Sequence, residues 1–308
     1  MPNRKTVSFT ALLLWAIGCP APVWEIVESG TKENLNSIWG TGPNNIWCVG
    51  DDGTAMNYDG SRWNRIETHI VDDLGGVFGF DSDDIWAVGS PDATLWWNGT
   101  SWSDRGLGWR GAHWAVWGNE KDDVWVVGTG GFPLLWSGLQ WEPVDGSDEI
   151  EFTLVTIWGA SSGDVWAGGA LGRGSGLAHW NGTKWSELDN PSNNQINGIW
   201  GSAADDVYLA STGGLFHWDG AEWKDLGATC PTESSDGEKS NSFRAVWGSS
   251  SDNVWILCSL DGVLHWDGSD WIETTTPDEF SFPHAIWGSG EGDIWIAGSE
   301  GKLLKYID

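Results

Sequence analysis

Short apolar runs alternate with polar clusters along the whole chain. Between Ala245 and Trp271 the sequence reads AVWGSSSDNVWILCSLDGVLHWDGSDW. Each apolar run is too short for a helix, is rich in Val, Ile and Trp, and is bounded by Gly, Ser, Asp and Asn, which is the pattern of a strand. The tryptophans are spaced eight, eleven and five residues apart, at 247, 255, 266 and 271. Asp267-Gly268 lies between the last two and predicts a tight hairpin, because both turn positions need positive φ. The stretch therefore predicts a four-stranded antiparallel meander, with strands A, B, C and D in chain order.

The same pattern recurs. Strand A carries Ile/Val-Trp-Gly, with its aromatic at Trp39, Trp117, Trp158, Trp200, Trp247 and Trp287, and with Phe78 in one copy. Strand B carries Asp/Asn-Ile/Val-Trp, with its aromatic at Trp47, Trp86, Trp125, Trp166, Tyr208, Trp255 and Trp295. Strand C ends on Tyr58, Trp97, Trp136, Trp180, Trp218, Trp266 and Tyr306, and strand D holds Trp63, Trp102, Trp141, Trp185, Trp223 and Trp271. The seventh copy stops three strands in, at Asp308.

Its fourth strand is found at the other end of the chain. PVWEIVES, from Pro22 to Ser29, matches the D strands, and Trp24 precedes Trp39 by 15 residues, as Trp63 precedes Phe78 and Trp102 precedes Trp117. A period near 40 with four strands per unit predicts an all-β, seven-bladed β-propeller of four-stranded antiparallel blades, the last blade closed by the N-terminal strand. Closure removes the free sheet edges that invite aggregation. A solenoid would need capping repeats and does not explain the split seventh unit. The Gly-His and Trp-Asp signature of WD40 repeats is not reproduced. In its Trp-Gly and Asp/Asn-Val-Trp motifs the chain resembles the tryptophan-rich repeat propellers of secreted bacterial lipoproteins of the myxobacterial type. The resemblance implies the propeller fold over nearly the whole mature chain and brings no catalytic residues with it. The repeated tryptophans are expected to be the packing between blades, since each buried indole removes about 150–250 Å² from water.

Charge and the chain start change the picture next. With 44 Asp and Glu against 15 Lys and Arg, the net charge of −29 argues against nucleic acid and anionic membrane surfaces as partners. Arg4 and Lys5 precede the apolar run from Val7 to Gly18, which is too short to span a bilayer as a mature helix. Residues 1–18 read as a signal peptide, and Ala-Ile-Gly-Cys places Cys19 as the first mature residue and the site of lipidation. Residues 19–308 are then one propeller, expected to be monomeric, exported, and held at the cell envelope, the outer membrane, by the lipid. In an oxidising compartment disulfides persist. Cys230, in the long D-to-A linker before the sixth blade, and Cys258, at the end of its strand B, emerge on one face and are expected to pair. Cys48, inside a strand, reads as a buried free thiol.

Loop lengths separate the two faces. Every A-to-B interval is eight and every C-to-D interval is five, whereas B-to-C reaches 14 between Trp166 and Trp180 and D-to-A reaches 24 between Trp223 and Trp247. Variation confined to one face marks a candidate binding face. The third residue before each strand-A aromatic varies as well: Asn36, Gly75, Trp114, Val155, Asn197, Arg244 and His284. The candidate ligand-binding residues are therefore Trp109, Arg110, His113, Trp114, Arg173, Arg244 and His284, with Phe132, Phe243, Phe280 and Phe282 near the same loops.

Other polar repeats read as structure. The Asp or Asn before each strand-B aromatic (Asn45, Asp84, Asp123, Asp164, Asp206, Asn253, Asp293) suits a turn whose side chain bonds nearby backbone amides. His179, His217 and His265 occupy one equivalent position in three blades, too far apart to share one zinc ion. No nucleophile elbow, phosphate loop or zinc motif is present, and no metal or cofactor is expected. The expected function is non-enzymatic recognition of a glycan by the variable face. The alternative is a protein-interaction scaffold at the cell surface, and a glycosidase- or lyase-type propeller enzyme comes third, since a carboxylate pair is defined by geometry alone.

Overall fold

The structure is a computed structural model that describes residues 23–307, apart from 107, 109, 110, 171, 173, 174, 232–238, 261, 275, 281 and 291. It contains seven four-stranded antiparallel sheets. The A strands are Leu35–Gly42, Leu74–Asp81, His113–Glu120, Leu154–Ser161, Ile196–Ala203, Phe243–Ser250 and Pro283–Gly290. They define blades 1 to 7, and those of successive blades contact one another around the axis, the last meeting the first. In six blades the remaining strands follow in chain order. In blade 7, Asp293–Gly298 and Lys302–Ile307 are followed outward by Val23–Glu28, paired from Val23↔Ile307 to Glu28↔Lys302. The propeller and its closure by the N-terminal strand are thus as the sequence predicts.

The tryptophan spacing acquires a physical reason at the blade interfaces. Each strand-B aromatic packs against the C and D aromatics of the next blade. Trp47 meets Trp97 and Trp102, Trp86 meets Trp136 and Trp141, and Trp125 meets Trp180 and Trp185. Trp166 meets Trp218 and Trp223, and Tyr208 clusters with Trp266 and Trp271. Trp255 meets Tyr306 and Trp24, and Trp295 returns to Tyr58 and Trp63. The D-strand ring is near perpendicular to the B-strand ring, at 79–88° with centroids 5.5–5.9 Å apart. Such edge-to-face contact matches the positive edge of one ring to the negative face of the other. The indole N–H groups of Trp63, Trp102, Trp141 and Trp185 meet no oxygen or nitrogen acceptor among the described residues, as a contact with the facing π cloud allows.

The Trp-Gly pair of strand A has its own cause. A Cβ on Gly159 would lie 2.5 Å from the ring of Trp117 in the preceding blade, and one on Gly248 would lie 2.5 Å from Trp200. The strand-A indoles of Trp117, Trp158, Trp200, Trp247 and Trp287 therefore occupy the space a side chain would need on the glycine of the next blade.

The turn residues before strand B do something other than the sequence predicts. Among the described residues they accept from side chains rather than from backbone amides. Asn45, Asp123, Asn253 and Asp293 each accept from the indole N–H two residues on, at 2.9–3.1 Å. Asp84 accepts from Trp96 on strand C at 2.7 Å. Asp164 and Asp206 lie 2.6 Å from His179 and His217, and Asn253 lies 2.7 Å from His265. Those histidines stack on the strand-B rings of Trp166, Tyr208 and Trp255. A buried or half-buried indole or imidazole gains from a partner for its N–H, and this turn supplies one to a ring in each blade. In blades 2 and 4 it serves Trp96 and His179 and leaves the indole N–H groups of Trp86 and Trp166 without an oxygen or nitrogen acceptor among the described residues.

Cys230 and Cys258 are joined by a disulfide, with Cα atoms 5.8 Å apart and a sequence separation of 28. It ties the long linker between blades 5 and 6 to the end of strand B. Closing a loop of that length removes entropy from the unfolded chain worth about 3–4 kcal/mol in the chain-entropy account. A melting curve with and without reductant is expected to show the corresponding loss, and mass mapping should place the two cysteines in one peptide pair. Two free thiols would remove the cross-link. Cys48 is buried, and burial pushes its thiol pKa up, away from the reactive thiolate.

Candidate functional site

Side chains on a strand alternate between faces, and on strand A one face points to the propeller axis. The position three before the strand-A aromatic lies on that axial face, at the end where the B-to-C loops and D-to-A linkers emerge. All seven of its occupants, Asn36, Gly75, Trp114, Val155, Asn197, Arg244 and His284, line a single open cavity of about 480 Å³. That volume lies within the range of small-ligand sites. The cavity narrows inward along the axis past Ser37, Gly76, Ala115 and Thr156.

The cavity also takes in Asn34, Asp51, Asp73 and Gln195, which sequence reasoning missed. Asn34, Asp73 and Gln195 stand two residues before the axial position, so the two-residue period of a strand is the signal that could have found them. Asp51 comes from a B-to-C loop, and no periodicity points to it.

Of the predicted site residues, Trp114, Arg244 and His284 are brought together. His113 is not. It sits one residue earlier, at the position held by Leu35, Leu74, Leu154, Ile196 and Phe243 in other blades, and is buried between blades with Nε2 3.7 Å from Asp92. Alternation along the strand sends neighbours to opposite faces, which corrects its assignment. Trp109, Arg110, Arg173 and Cys19 lie outside the described residues. Phe243 and Phe280 are core side chains, whereas Phe132 and Phe282 are exposed on the variable face. The acidic run at 81–84 is engaged by Lys121, whose Nζ lies 3.0 Å from Asp81 and 3.2 Å from Asp84.

Most polar groups of the cavity are held by one another. Asp51 accepts from Asn34 and from Asn36, each at 2.8 Å, and Asp73 accepts from the backbone N–H of Asp52 at 3.0 Å. Gln195 donates to Asn197 at 3.0 Å, and Asn197 donates to the carbonyl of Phe243 at 2.7 Å. His284 donates from Nδ1 to the carbonyl of Leu35 at 3.1 Å, and its Nε2 accepts from the Ser299 hydroxyl at 3.2 Å. Burial first, and then the neighbouring Arg244 charge, lower the His284 pKa below its ordinary value of 6.5, so the ring is neutral at pH 7. Trp114 is 38% exposed and lies over Gly75, where a Cβ would come within 3.2 Å of its ring. Glycine on blade 2 thus makes room for the indole of blade 3.

No protein-family profile and no curated protein matches this sequence. Solved structures do match its fold. It superposes on YCF48 bound to D1 peptide with a TM-score of 0.73 at 19% identity, over 92% of this chain and 97% of that one. YCF48 from Cyanidioschyzon merolae matches with a TM-score of 0.67 at 18% identity, over 92% and 99%. The WD40 propeller domain of Doa1 matches with a TM-score of 0.72 at 12% identity, over 91% and 95%. These likenesses bear out the seven-bladed propeller fold.

Proposed function

We propose that this chain is a non-enzymatic recognition module, exported and tethered at the cell envelope through Cys19, that binds a glycan in the axial cavity of its variable face. The observation that carries the reading is the break in repetition at the cavity. Seven structurally equivalent positions hold asparagine, glycine, tryptophan, valine, asparagine, arginine and histidine, and all seven converge on one cavity. The adjoining Trp-Gly motif stays nearly constant from blade to blade. An exposed indole among amides and carboxylates offers an apolar face for a sugar ring and polar groups for its hydroxyls. The tether would leave from the start of Val23–Glu28, on the side of the invariant C-to-D turns, so the cavity faces away from the membrane.

The test is a glycan array probed with the full-length protein and with Trp114→Ala. Removing a central aromatic anchor costs about 2 kcal/mol, a weakening of some thirtyfold. Replacing Asp164 and Asp206, on the opposite face, should leave binding intact. Binding lost through that pair and kept by Trp114→Ala would overturn the placement.

A protein partner is the second reading. Val71, Phe132, Leu260 and Phe282 are exposed on the loops of the same face, and a propeller of similar fold is known bound to a peptide. Apolar side chains spread around a rim suit a polypeptide better than a sugar.

A further inference from the structure

We infer that the ligand of the axial cavity carries a carboxylate and that Arg244 receives it. Combined with the glycan reading, on which this inference rests, the ligand is an acidic sugar of the uronic type.

The inference starts from an arginine without a counter-charge in a chain crowded with them. Acidic residues outnumber basic ones 44 to 15. The other described arginines are engaged: Arg62 and Arg65 face Asp59 and Glu67 at 3.9 and 4.0 Å, and Arg105 lies 4.4 Å from the centre of the Trp96 ring. Among the described residues, no carboxylate lies within ion-pairing distance of Arg244. Its guanidinium pKa is lowered by desolvation alone. The walls of the ring thus cost this charge part of its water and give no anion in return. A guanidinium nonetheless stays protonated, and it presents its donors as a planar fork.

The rest of the cavity leaves this fork as its free cationic group. The amide nitrogens of Asn34, Asn36, Gln195 and Asn197 each donate to a neighbour and carry no charge, and both ring nitrogens of His284 are engaged within the protein. His284 is neutral beside Arg244, so one positive charge stands there rather than two. Asp51 and Asp73 share the same cavity. One unpaired cation in a cavity that also holds two carboxylates suits a singly charged planar group, which pairs with the fork through two parallel hydrogen bonds. It disfavours a doubly charged phosphate. The acidic surface elsewhere is screened within about 8 Å at physiological salt, so it does not override this local pairing. Trp114 lines the same cavity and offers an indole face to the ring that bears the carboxylate.

The experiment measures binding by calorimetry to three probes: a uronic-acid trisaccharide, its carboxyl-reduced neutral counterpart, and a sulfated trisaccharide. The uronate is expected to bind at least tenfold tighter than the other two. Arg244→Gln should abolish that preference, and Arg244→Lys should keep part of it, since a point charge replaces a fork. Arg244 is exposed at the cavity, so neither variant should change the circular dichroism or the melting temperature. Equal affinity for the acidic and neutral sugars, a preference for the sulfated one, or an unchanged preference in Arg244→Gln would each overturn the carboxylate while leaving the glycan reading standing. Failure to bind any of the three would overturn the glycan reading and the inference with it.

Discussion

Removing residues 20–30 is expected to lower the melting temperature by about 10 °C or more and to make the ring self-associate through an exposed edge. The deletion strips strand Val23–Glu28 from blade 7 and leaves Lys302–Ile307 as an open edge. It also removes Trp24, which is buried, stands 5.9 Å from Trp255 at 84°, and lies 5.3 Å from Tyr306. Its indole N–H reaches the Thr274 hydroxyl on blade 6 at 3.4 Å, so the strand bridges two blades as well as completing one. Losing a buried tryptophan costs about 3–5 kcal/mol by itself. The backbone pairs of six residues and the bond from Ser29 to the Gly301 carbonyl go with it. Differential scanning calorimetry and light scattering read the two effects separately. A truncated protein with the parent's melting temperature would show that the ring is held shut without this strand.

The fold was legible because its packing is repetitive. A tryptophan on each of four strands, at fixed spacing, is what a ring of identical interfaces requires, and the 15-residue step from Trp24 to Trp39 exposed the strand that closes it. The cavity was half legible for the same reason. Position 114 stood out because six equivalent positions failed to match it, and Arg244 and His284 followed by register. His113 was misplaced because its chemistry was weighed without the alternation of the strand: histidine stands there where most blades have an aliphatic residue, and the site is core. Asp51 could not be found, since a loop residue reaches the axis by backbone path rather than by period. The turn acids were misread in their partners. Asn45 and Asp123 resemble backbone-capping residues in sequence, and only the nearness of Trp47 and Trp125 shows that indole N–H groups claim them first.

Trp255→Ala is expected to be the most damaging single substitution among the interface aromatics, at about 3–5 kcal/mol. Trp255 is fully buried. It stacks on His265 with centroids 3.9 Å apart and packs against Tyr306 at 4.9 Å. Its N–H donates to Asn253 at 2.9 Å within the core, so alanine leaves a cavity and takes one partner from a buried amide. Trp255→Phe keeps the stacking and most of the volume, and is expected to cost about half as much. Trp271→Ala, at a half-buried place on an outer strand, should cost less than Trp255→Ala, because the exposed part of the ring adds little. Chemical denaturation of the three variants gives the order. The contact with Trp24 adds a sharper check, since residues in contact are not additive. Trp255→Ala made in the protein that lacks residues 20–30 should cost clearly less than in the parent, because its closing partner is already gone. Equal costs in the two backgrounds would mean that Trp255 stabilises blade 6 alone and that the ring is not locked through this pair.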